Sequence, residues 1–199
     1  MLLLGLTGNI ACGKSTVLAA LRERGAVTID ADAVTHQLQR PGEPVYAAIV
    51  AAFGPSILAE PGGPIDRRTL GAIVFADAAA LHRLEQIVHP AVHDSIAAWI
   101  DAQRLAGARV AVIDAVKLLE AGWKAQCDAV WVVTCPPEQQ LSRLMATRGL
   151  SEADASARIA AQPSQRSRAA LADLVIDNGG PLDATLAQVD AGWWRLVGD

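Results

Sequence analysis

The sequence predicts an α/β fold in three layers, with a parallel five-stranded sheet between two layers of helices. Five short apolar runs have the length of buried strands: Leu2 to Thr7, Ala26 to Asp30, Arg109 to Asp114, Ala129 to Thr134 and Asp173 to Asp177. Segments of helical periodicity alternate with these runs, and the alternation is typical of parallel strands joined by crossover helices. A glycine-rich segment follows the first strand directly, at the strand end where such sheets bind ligands.

Composition excludes several classes of protein. The chain has 199 residues, of which 52% are hydrophobic and 19% charged, so it can bury a core and is not expected to be disordered. A formal net charge of −4 argues against a broad nucleic-acid-binding face. Three cysteines without a CxxC pair fit a reducing cytoplasm, and no apolar run reaches the roughly eighteen residues of a membrane span. We expect a cytoplasmic protein without nucleic-acid or membrane partners.

Two long connections interrupt the strand pattern. About eighty residues separate the second and third strands, far more than a minimal crossover needs, and this predicts an inserted helical subdomain with Asp66 and Asp77 as N-caps. The second connection, from Pro136 to Ala172, is rich in arginine and contains a capping-box pattern at Ser151. An arginine-rich helical segment beside a strand end predicts a lid over phosphates.

The segment from Gly8 to Ser15 reads GNIACGKS and satisfies the pattern G-x-x-x-x-G-K-[ST] between a strand and a helix. In this phosphate-binding loop, or P-loop, backbone N–H groups and a helix N-terminus together form an anion site. Lys14 is expected to reach the β- and γ-phosphates, Ser15 to offer its hydroxyl to Mg²⁺, and Thr16 to hydrogen-bond the α-phosphate. The motif predicts that the chain binds ATP with Mg²⁺.

Cys12 lies inside this loop and allows two interpretations. A helix N-terminus can lower the pKa of a thiol, which would make Cys12 a redox-active group. Alternatively, Cys12 is a small side chain tolerated among the backbone donors of the loop, and this interpretation is favoured.

Two carboxylates follow the second strand in the sequence Ile29-Asp30-Ala31-Asp32. If the strand continues to its tip, residues two apart project to one side, so both acids would face the ligand edge of the sheet. Asp32 is the candidate for receiving the proton of an acceptor hydroxyl, and Asp30 for holding a metal-bound water. The alternative is that one of them only caps a helix beginning at Ala33. Asp114, at the end of the third strand, is a further metal candidate because it resembles the acid of a Walker B strand.

Taken together, these features resemble the dephospho-CoA kinase family over nearly the whole chain. The resemblance rests on an ordered set of segments: GLTGNIACGKST from Gly5, IDADAVTH from Ile29, RRTLGAIVF from Arg67, VHPAV from Val88, ARIAAQ from Ala157 and ADLVIDNGG from Ala172. The chain departs from the family after the third strand, where Val116-Lys117-Leu118 replaces the usual Pro-Leu-Leu.

The resemblance implies a single P-loop kinase domain over residues 1–199, with a helical CoA-binding insert at about 34–103 and a helical lid at about 137–171. It implies ATP as the phosphoryl donor and dephospho-CoA as the acceptor, in the last step of coenzyme A biosynthesis. The partners would then be these two small molecules, and we expect a monomer or a weak homo-oligomer.

The motifs and the resemblance together assign candidate site residues. The catalytic candidates are Lys14, Asp32 and Arg143. The nucleotide-binding candidates are Gly8, Ala11, Cys12, Gly13, Lys14, Ser15, Thr16 and Arg148. The acceptor-binding candidates are Asp32, His89, Pro90 and Leu118, and the metal candidates are Ser15 and Asp30. His89 precedes a proline, which disfavours helical backbone at that residue and predicts a helix boundary there.

Two other functions fit parts of the sequence. Another small-molecule P-loop kinase, for shikimate, gluconate or a nucleoside, would also carry an acid pair at a strand end. A nucleotide-dependent switch would need only the P-loop, but the chain has no NKxD motif for base specificity.

Overall fold

The computed structural model describes residues 1–198 and contains one five-stranded sheet. Its strands are β1 (Leu2–Gly8), β2 (Val27–Asp30), β3 (Val110–Asp114), β4 (Ala129–Thr134) and β5 (Leu174–Asp177). They are ordered β2-β3-β1-β4-β5, and β1 pairs in parallel with both β3 and β4. The predicted α/β class with a parallel five-stranded sheet is confirmed.

Nine helices are described between and after these strands. They are α1 (Lys14–Glu23), α2 (Ala31–Leu38), α3 (Pro44–Phe53), α4 (Arg67–Ala76), α5 (Ala78–Leu105), α6 (Pro137–Arg148), α7 (Glu152–Ala160), α8 (Gln165–Ala169) and α9 (Leu182–Val197). Short 3₁₀ turns occur at Pro55–Ile57 and Trp123–Gln126. None of the helices within residues 1–198 combines the length and apolar composition needed to cross a membrane.

The chain divides into two compact units. The first comprises Met1–Ile29 and the chain from Gln103 onwards, and the second comprises Asp30–Ala102. In the first unit β1 occupies the centre of the sheet, with Leu6 in register with Asp114 of β3 and with Trp131 of β4. This register brings the loop that follows β1 out beside the carboxyl end of β3.

Helices α1 and α9 pack against each other in the first unit. Val17 and Leu21 of α1, and Val189 and Trp193 of α9, are all buried in one hydrophobic cluster. A spacing of four residues places each pair on one face of its helix, which explains why these faces are covered. The packing fixes the axis of α1, whose first residue is Lys14.

The segment predicted as a lid belongs to the first unit and forms α6, α7 and α8. The Ser151 hydroxyl accepts a hydrogen bond from the Asp154 backbone N–H (3.1 Å) and donates one to the Asp154 carboxylate (2.6 Å). The predicted cap at the start of α7 is therefore confirmed.

The second unit contains α2, α3, α4 and most of α5. Asp66 caps α4 by accepting from the Arg68 N–H (2.9 Å), and Asp77 accepts from the Ala79 N–H (2.9 Å) at the start of α5. Both predicted N-caps are confirmed.

The helix boundary predicted at His89 is wrong, because α5 continues through Pro90 to Leu105. Four apolar side chains at four-residue spacing are buried along α5, namely Val88, Val92, Ile96 and Ile100. Pro90 is exposed, on the opposite side from this stripe, where water can solvate the carbonyl that loses its N–H partner. Burial of the stripe outweighs the local cost of the proline.

Candidate active site

The loop after β1 turns sharply into α1. Ala11 and Gly13 both have positive φ, of 61° and 89°, and the Cys12 N–H donates to the Asn9 carbonyl (3.2 Å). This left-handed conformation explains why the motif requires glycine at position 13, because any residue with a β-carbon would be strained there. The helix begins at once with Lys14, so its N-terminus, the end that favours anions, lies at the end of the loop.

Asn178 holds this loop from the other side. Its side-chain amide donates to the Cys12 carbonyl (2.9 Å), and its amide oxygen accepts from the Thr185 hydroxyl (2.9 Å). A β-carbon at Gly13 would collide with the same amide group. Asn178 is buried and uses both its amide nitrogen and its amide oxygen, so it helps to fix the loop conformation. From the sequence, Asn178 was identified only as part of the ADLVIDNGG segment.

Lys14 forms an ion pair with Asp114. The side chains of Lys14 and Asp114 are only 19% and 7% exposed, so the pair is shielded from solvent. Asp114 was a secondary candidate from the sequence, and the structure places it at the P-loop because β3 is adjacent to β1. Beside the pair, the Ser15 side chain is exposed at the first turn of α1 and Thr16 is half-buried.

Arg143 of α6 reaches the same region. One of its terminal nitrogens donates to the Asn178 carbonyl (3.0 Å), while the other, Nη1, is buried without a hydrogen-bond partner among the described residues. Arg143 and the P-loop are therefore connected through a single residue. Arg148 ends α6 and is exposed.

Glutamines from the lid segment bind the first half of the P-loop. The Ile10 N–H donates to the Gln162 side chain (2.9 Å), and the Ile10 carbonyl accepts from Gln140 (2.8 Å). Gln165 donates to Gln140 in turn (3.0 Å), and the Asn9 side chain donates to the Pro163 carbonyl (2.8 Å). The Ile10 peptide is thus held on both its polar groups, a role that residue-by-residue reading of the sequence did not identify.

A cavity of about 650 Å³ adjoins these glutamines, between the ends of β4 and β5 and helices α6 to α8. Asn9 is the one P-loop residue that lines it. Lys14 and Ser15 do not border this cavity.

Arg168 is buried, unlike the other arginines of the lid segment. Its guanidinium donates to the Glu120 carboxylate (2.7 Å) and lies 3.5 Å from the Thr7 hydroxyl of β1. The Thr7 hydroxyl donates to the Val116 carbonyl (3.1 Å). Arg168 therefore joins α8 to the strand that carries the P-loop and to the segment after β3.

The acid pair is arranged differently from the prediction. Asp30 is the N-cap of α2 and accepts from the Ala33 N–H (3.0 Å), and the helix already begins at Ala31. Asp32 therefore lies in the first helical turn, so the expectation that the strand continues and aligns both acids is wrong. Capping satisfies an unpaired helix N–H, which favours early helix formation over two more strand residues. Both carboxylates are exposed and belong to the second unit.

The remaining acceptor candidates occupy different environments. His89 and Pro90 are exposed on α5. Leu118 has no exposed surface and packs against the backbone of β1, where a β-carbon at Gly5 would lie 3.0 Å from its methyl groups. A contact between Leu118 and an acceptor would require this segment to move.

The Cys12 thiol is fully buried, next to Cys135. Burial raises the pKa of Cys12, and the neighbouring Cys135 side chain raises it further. Burial likewise raises the pKa of Cys127 to about 12. The pKa of Cys12 is shifted in the direction opposite to that of a redox-active thiol, so the structure supports the interpretation as a small packed residue.

A pH dependence of stability follows from these thiols. Thiols in the unfolded chain titrate near pH 8.5, and their ionisation favours the unfolded state. The contribution of these thiols to the free energy of unfolding is therefore full below that pH and decreases as the pH rises above it. We expect the free energy of unfolding, measured in urea, to fall between pH 7.5 and 9.5. Cys127→Ser should flatten this dependence, and an equal slope in wild type and variant would contradict the assignment.

The residues of the first unit fit a magnesium ion that arrives with a nucleotide. Such an ion takes one or two protein oxygens together with phosphates and water, not a protein cage. The exposed Ser15 hydroxyl and the Asp114 carboxylate are the oxygens near the loop, and the described residues contain no cluster of three or more His, Cys, Asp or Glu side chains suited to a metal. Ser15 and Asp114 would hold the ion.

The site combines a central strand, a glycine-rich turn, a helix that begins with lysine, and an acid at a strand end that pairs with this lysine. These features define a P-loop kinase core. A family model described as dephospho-CoA kinase matches residues 2–183 of this chain. The chain belongs to the dephospho-CoA kinase family.

Individual relatives agree with this membership. A protein named dephospho-CoA kinase from Symbiobacterium thermophilum is 52% identical over 198 residues, which span 100% of this chain and 82% of the relative. A crystal structure from Thermus thermophilus superposes with a TM-score of 0.84 and 31% identity, covering 99% of this chain and 98% of that one. Dephospho-CoA kinase from Campylobacter jejuni gives a TM-score of 0.70 at 26% identity, covering 98% and 96%.

Proposed function

We propose that this chain transfers the γ-phosphoryl group of MgATP to the ribose 3′-hydroxyl of dephospho-CoA, producing coenzyme A and ADP in the last step of coenzyme A biosynthesis. The observation that carries the proposal is the family match over residues 2–183 in a chain whose P-loop lysine is paired with a buried acid. The enzyme is accordingly a phosphotransferase with an alcohol group as acceptor.

Donor binding uses the first unit. The N–H groups at the start of α1 and the Lys14 ammonium neutralise the phosphates, and Lys14 exchanges its Asp114 partner for phosphate oxygens as they arrive. Arg143 has a buried, unpartnered nitrogen, Nη1, and its other terminal nitrogen is bonded to Asn178, which holds the loop, so Nη1 is available to donate to the nucleotide. Arg148 is assigned a weaker, solvent-exposed contact with the same nucleotide. Magnesium supplies charge neutralisation between the phosphates when bound.

Acceptor activation is assigned to the acid pair. Asp32 is exposed in the first turn of α2 and accepts no recorded bond that would occupy its carboxylate, so it is free to orient and deprotonate the 3′-hydroxyl. Asp30 uses one oxygen, Oδ1, for the Ala33 N–H and has the second available for a metal-bound water. His89 and Pro90 are proposed to line the acceptor site, with Leu118 behind it.

The alternative kinases for shikimate, gluconate or a nucleoside are not favoured. The dephospho-CoA kinase family match extends over the insert and the lid segment as well as the P-loop. A nucleotide-dependent switch is not favoured for the same reason.

An assay with purified protein, ATP, Mg²⁺ and dephospho-CoA tests the proposal. ADP and coenzyme A should appear in equal amounts, and ADP release should nearly stop when the acceptor is omitted. Shikimate, gluconate and adenosine serve as comparison acceptors. Equal ADP release with and without dephospho-CoA would support the switch, and a preference for another acceptor would support a different kinase.

A cytoplasmic location and a monomeric or weakly associated state are part of the same proposal. The three cysteines are all free thiols, which supports a reducing compartment. Sedimentation over a range of concentrations measures the association state.

A further inference from the structure

The second unit contains a groove of about 240 Å³ with a basic lining. One wall is the end of α2 and the turn after it, which contribute His36 and Arg40. The other wall is the segment that leads into α4, which contributes Arg67. The lining contains no aspartate or glutamate. The groove belongs to the second unit and the P-loop to the first.

The positive charge of the groove is not neutralised by the protein. Arg67 lies 2.5 Å from the His36 Nε2 atom, and since arginine can only donate, this ring nitrogen is the acceptor of the contact. No ion pair recorded for residues 1–198 involves Arg40 or Arg67. The acid next in sequence, Asp66, uses its carboxylate on the Arg68 N–H and the Thr69 hydroxyl.

Backbone hydrogen bonds hold both walls in place. The Asp66 N–H donates to the Ile57 carbonyl (2.8 Å), and the Ala59 N–H donates to the Pro64 carbonyl (3.0 Å), which together secure the segment before α4. On the other wall, the Glu43 N–H donates to the Arg40 carbonyl (3.1 Å). The two guanidinium groups therefore extend from fixed backbone, and a ligand does not have to order the walls when it binds.

Two arginines that line one groove without a carboxylate create a positive potential suited to an anion with several oxygens. Dephospho-CoA carries its negative charge on one group, the diphosphate that joins the adenosine to the pantetheine arm. We propose that Arg40 and Arg67 bind the acceptor diphosphate, with His36 orienting Arg67. This inference rests on the proposed function, because it names the part of the acceptor that the second unit recognises.

Direct binding of dephospho-CoA, measured by calorimetry without nucleotide, tests the groove. Arg67→Ala should weaken binding by about 10- to 100-fold, the cost of one charged hydrogen-bonding partner, and Arg40→Ala should act in the same direction. Arg67→Lys should recover only part of the affinity because an ammonium lacks the planar fork. Arg68→Ala is the matched control. Arg68 is adjacent and exposed but does not line the groove, so this variant should bind dephospho-CoA with unchanged affinity.

Steady-state kinetics separate recognition from chemistry. Arg67→Ala should raise KM for dephospho-CoA while KM for ATP and kcat at saturating acceptor stay within about twofold, since the residue binds a part of the substrate that does not react. Unchanged acceptor affinity in the variant, with a normally active wild type, overturns the inference. An equal rise in KM for both substrates overturns it as well, because that pattern indicates general disruption.

A binding experiment with inorganic pyrophosphate tests the groove independently of the proposed function. With the P-loop saturated by a non-hydrolysable ATP analogue, inorganic pyrophosphate should bind the wild type and bind Arg67→Ala about 10- to 100-fold more weakly. If the wild type does not phosphorylate dephospho-CoA, the proposed function fails, and this experiment still decides whether the groove binds a diphosphate. Pyrophosphate that binds both proteins equally, or neither, overturns the inference.

Discussion

Replacing Lys14 by alanine is expected to lower kcat by about 10²- to 10³-fold, because it removes a fixed charge from the phosphates where negative charge must be stabilised. The fold should survive, since α1 is anchored by its packing on α9. Initial rates of coenzyme A formation, with circular dichroism as the folding check, measure the effect. Turnover near the wild-type value would contradict the P-loop assignment.

The Lys14–Asp114 pair adds a stability effect that has to be separated from catalysis. Loss of one partner of a shielded ion pair costs on the order of 3 kcal/mol, because the other charge remains partly buried. Combining Lys14→Met with Asp114→Asn removes both charges and should recover most of the free energy of unfolding. The double variant should nevertheless stay inactive, and recovery of activity along with stability would show that the loss in Lys14→Ala was structural.

Replacing Asp32 by asparagine is expected to lower kcat by about 10²- to 10⁴-fold while ATP affinity changes little, because the amide keeps the size but cannot accept the proton of the acceptor hydroxyl. The transition state for phosphoryl transfer is loose and the proton leaves late, so loss of the base is costly without being absolute. Single-turnover rates and nucleotide titrations measure the two quantities.

Asp30→Asn provides the comparison variant. Asparagine is as good an N-cap as aspartate, so α2 and the stability of the protein should be preserved. Its effect should instead be a higher magnesium requirement, because its proposed task is to hold the hydration shell of the metal. If excess magnesium rescues Asp32→Asn and not Asp30→Asn, the two roles are reversed. If neither variant affects turnover, the pair serves only α2 and Asp114 becomes the next candidate for the base.

Features that depend on near neighbours in sequence were predicted correctly. The five strands follow from apolar runs of strand length, and the caps by Asp66, Asp77 and Ser151 follow from side chains that bond to N–H groups within three residues. The P-loop belongs to the same category, since its turn and the helix that follows it are formed by consecutive residues. The predictions failed at two places where neighbouring residues favoured different backbone structures. The early start of α2 and the continuation of α5 through Pro90 both went against the prediction.

What the sequence by itself determined is the sheet, the phosphate loop and the family to which the chain belongs. The tertiary structure decided which distant residues support that loop: Asn178 is 166 positions from Cys12, and Gln162 is 152 positions from Ile10. It also decided that Asp114 pairs with Lys14, because strand order places β3 beside β1. Such contacts depend on how strands and helices are arranged in space. The residues next to a polar side chain in the sequence do not indicate which distant backbone group it will bond to. The same reason applies to His36 and Arg67, which are 31 positions apart and line one groove.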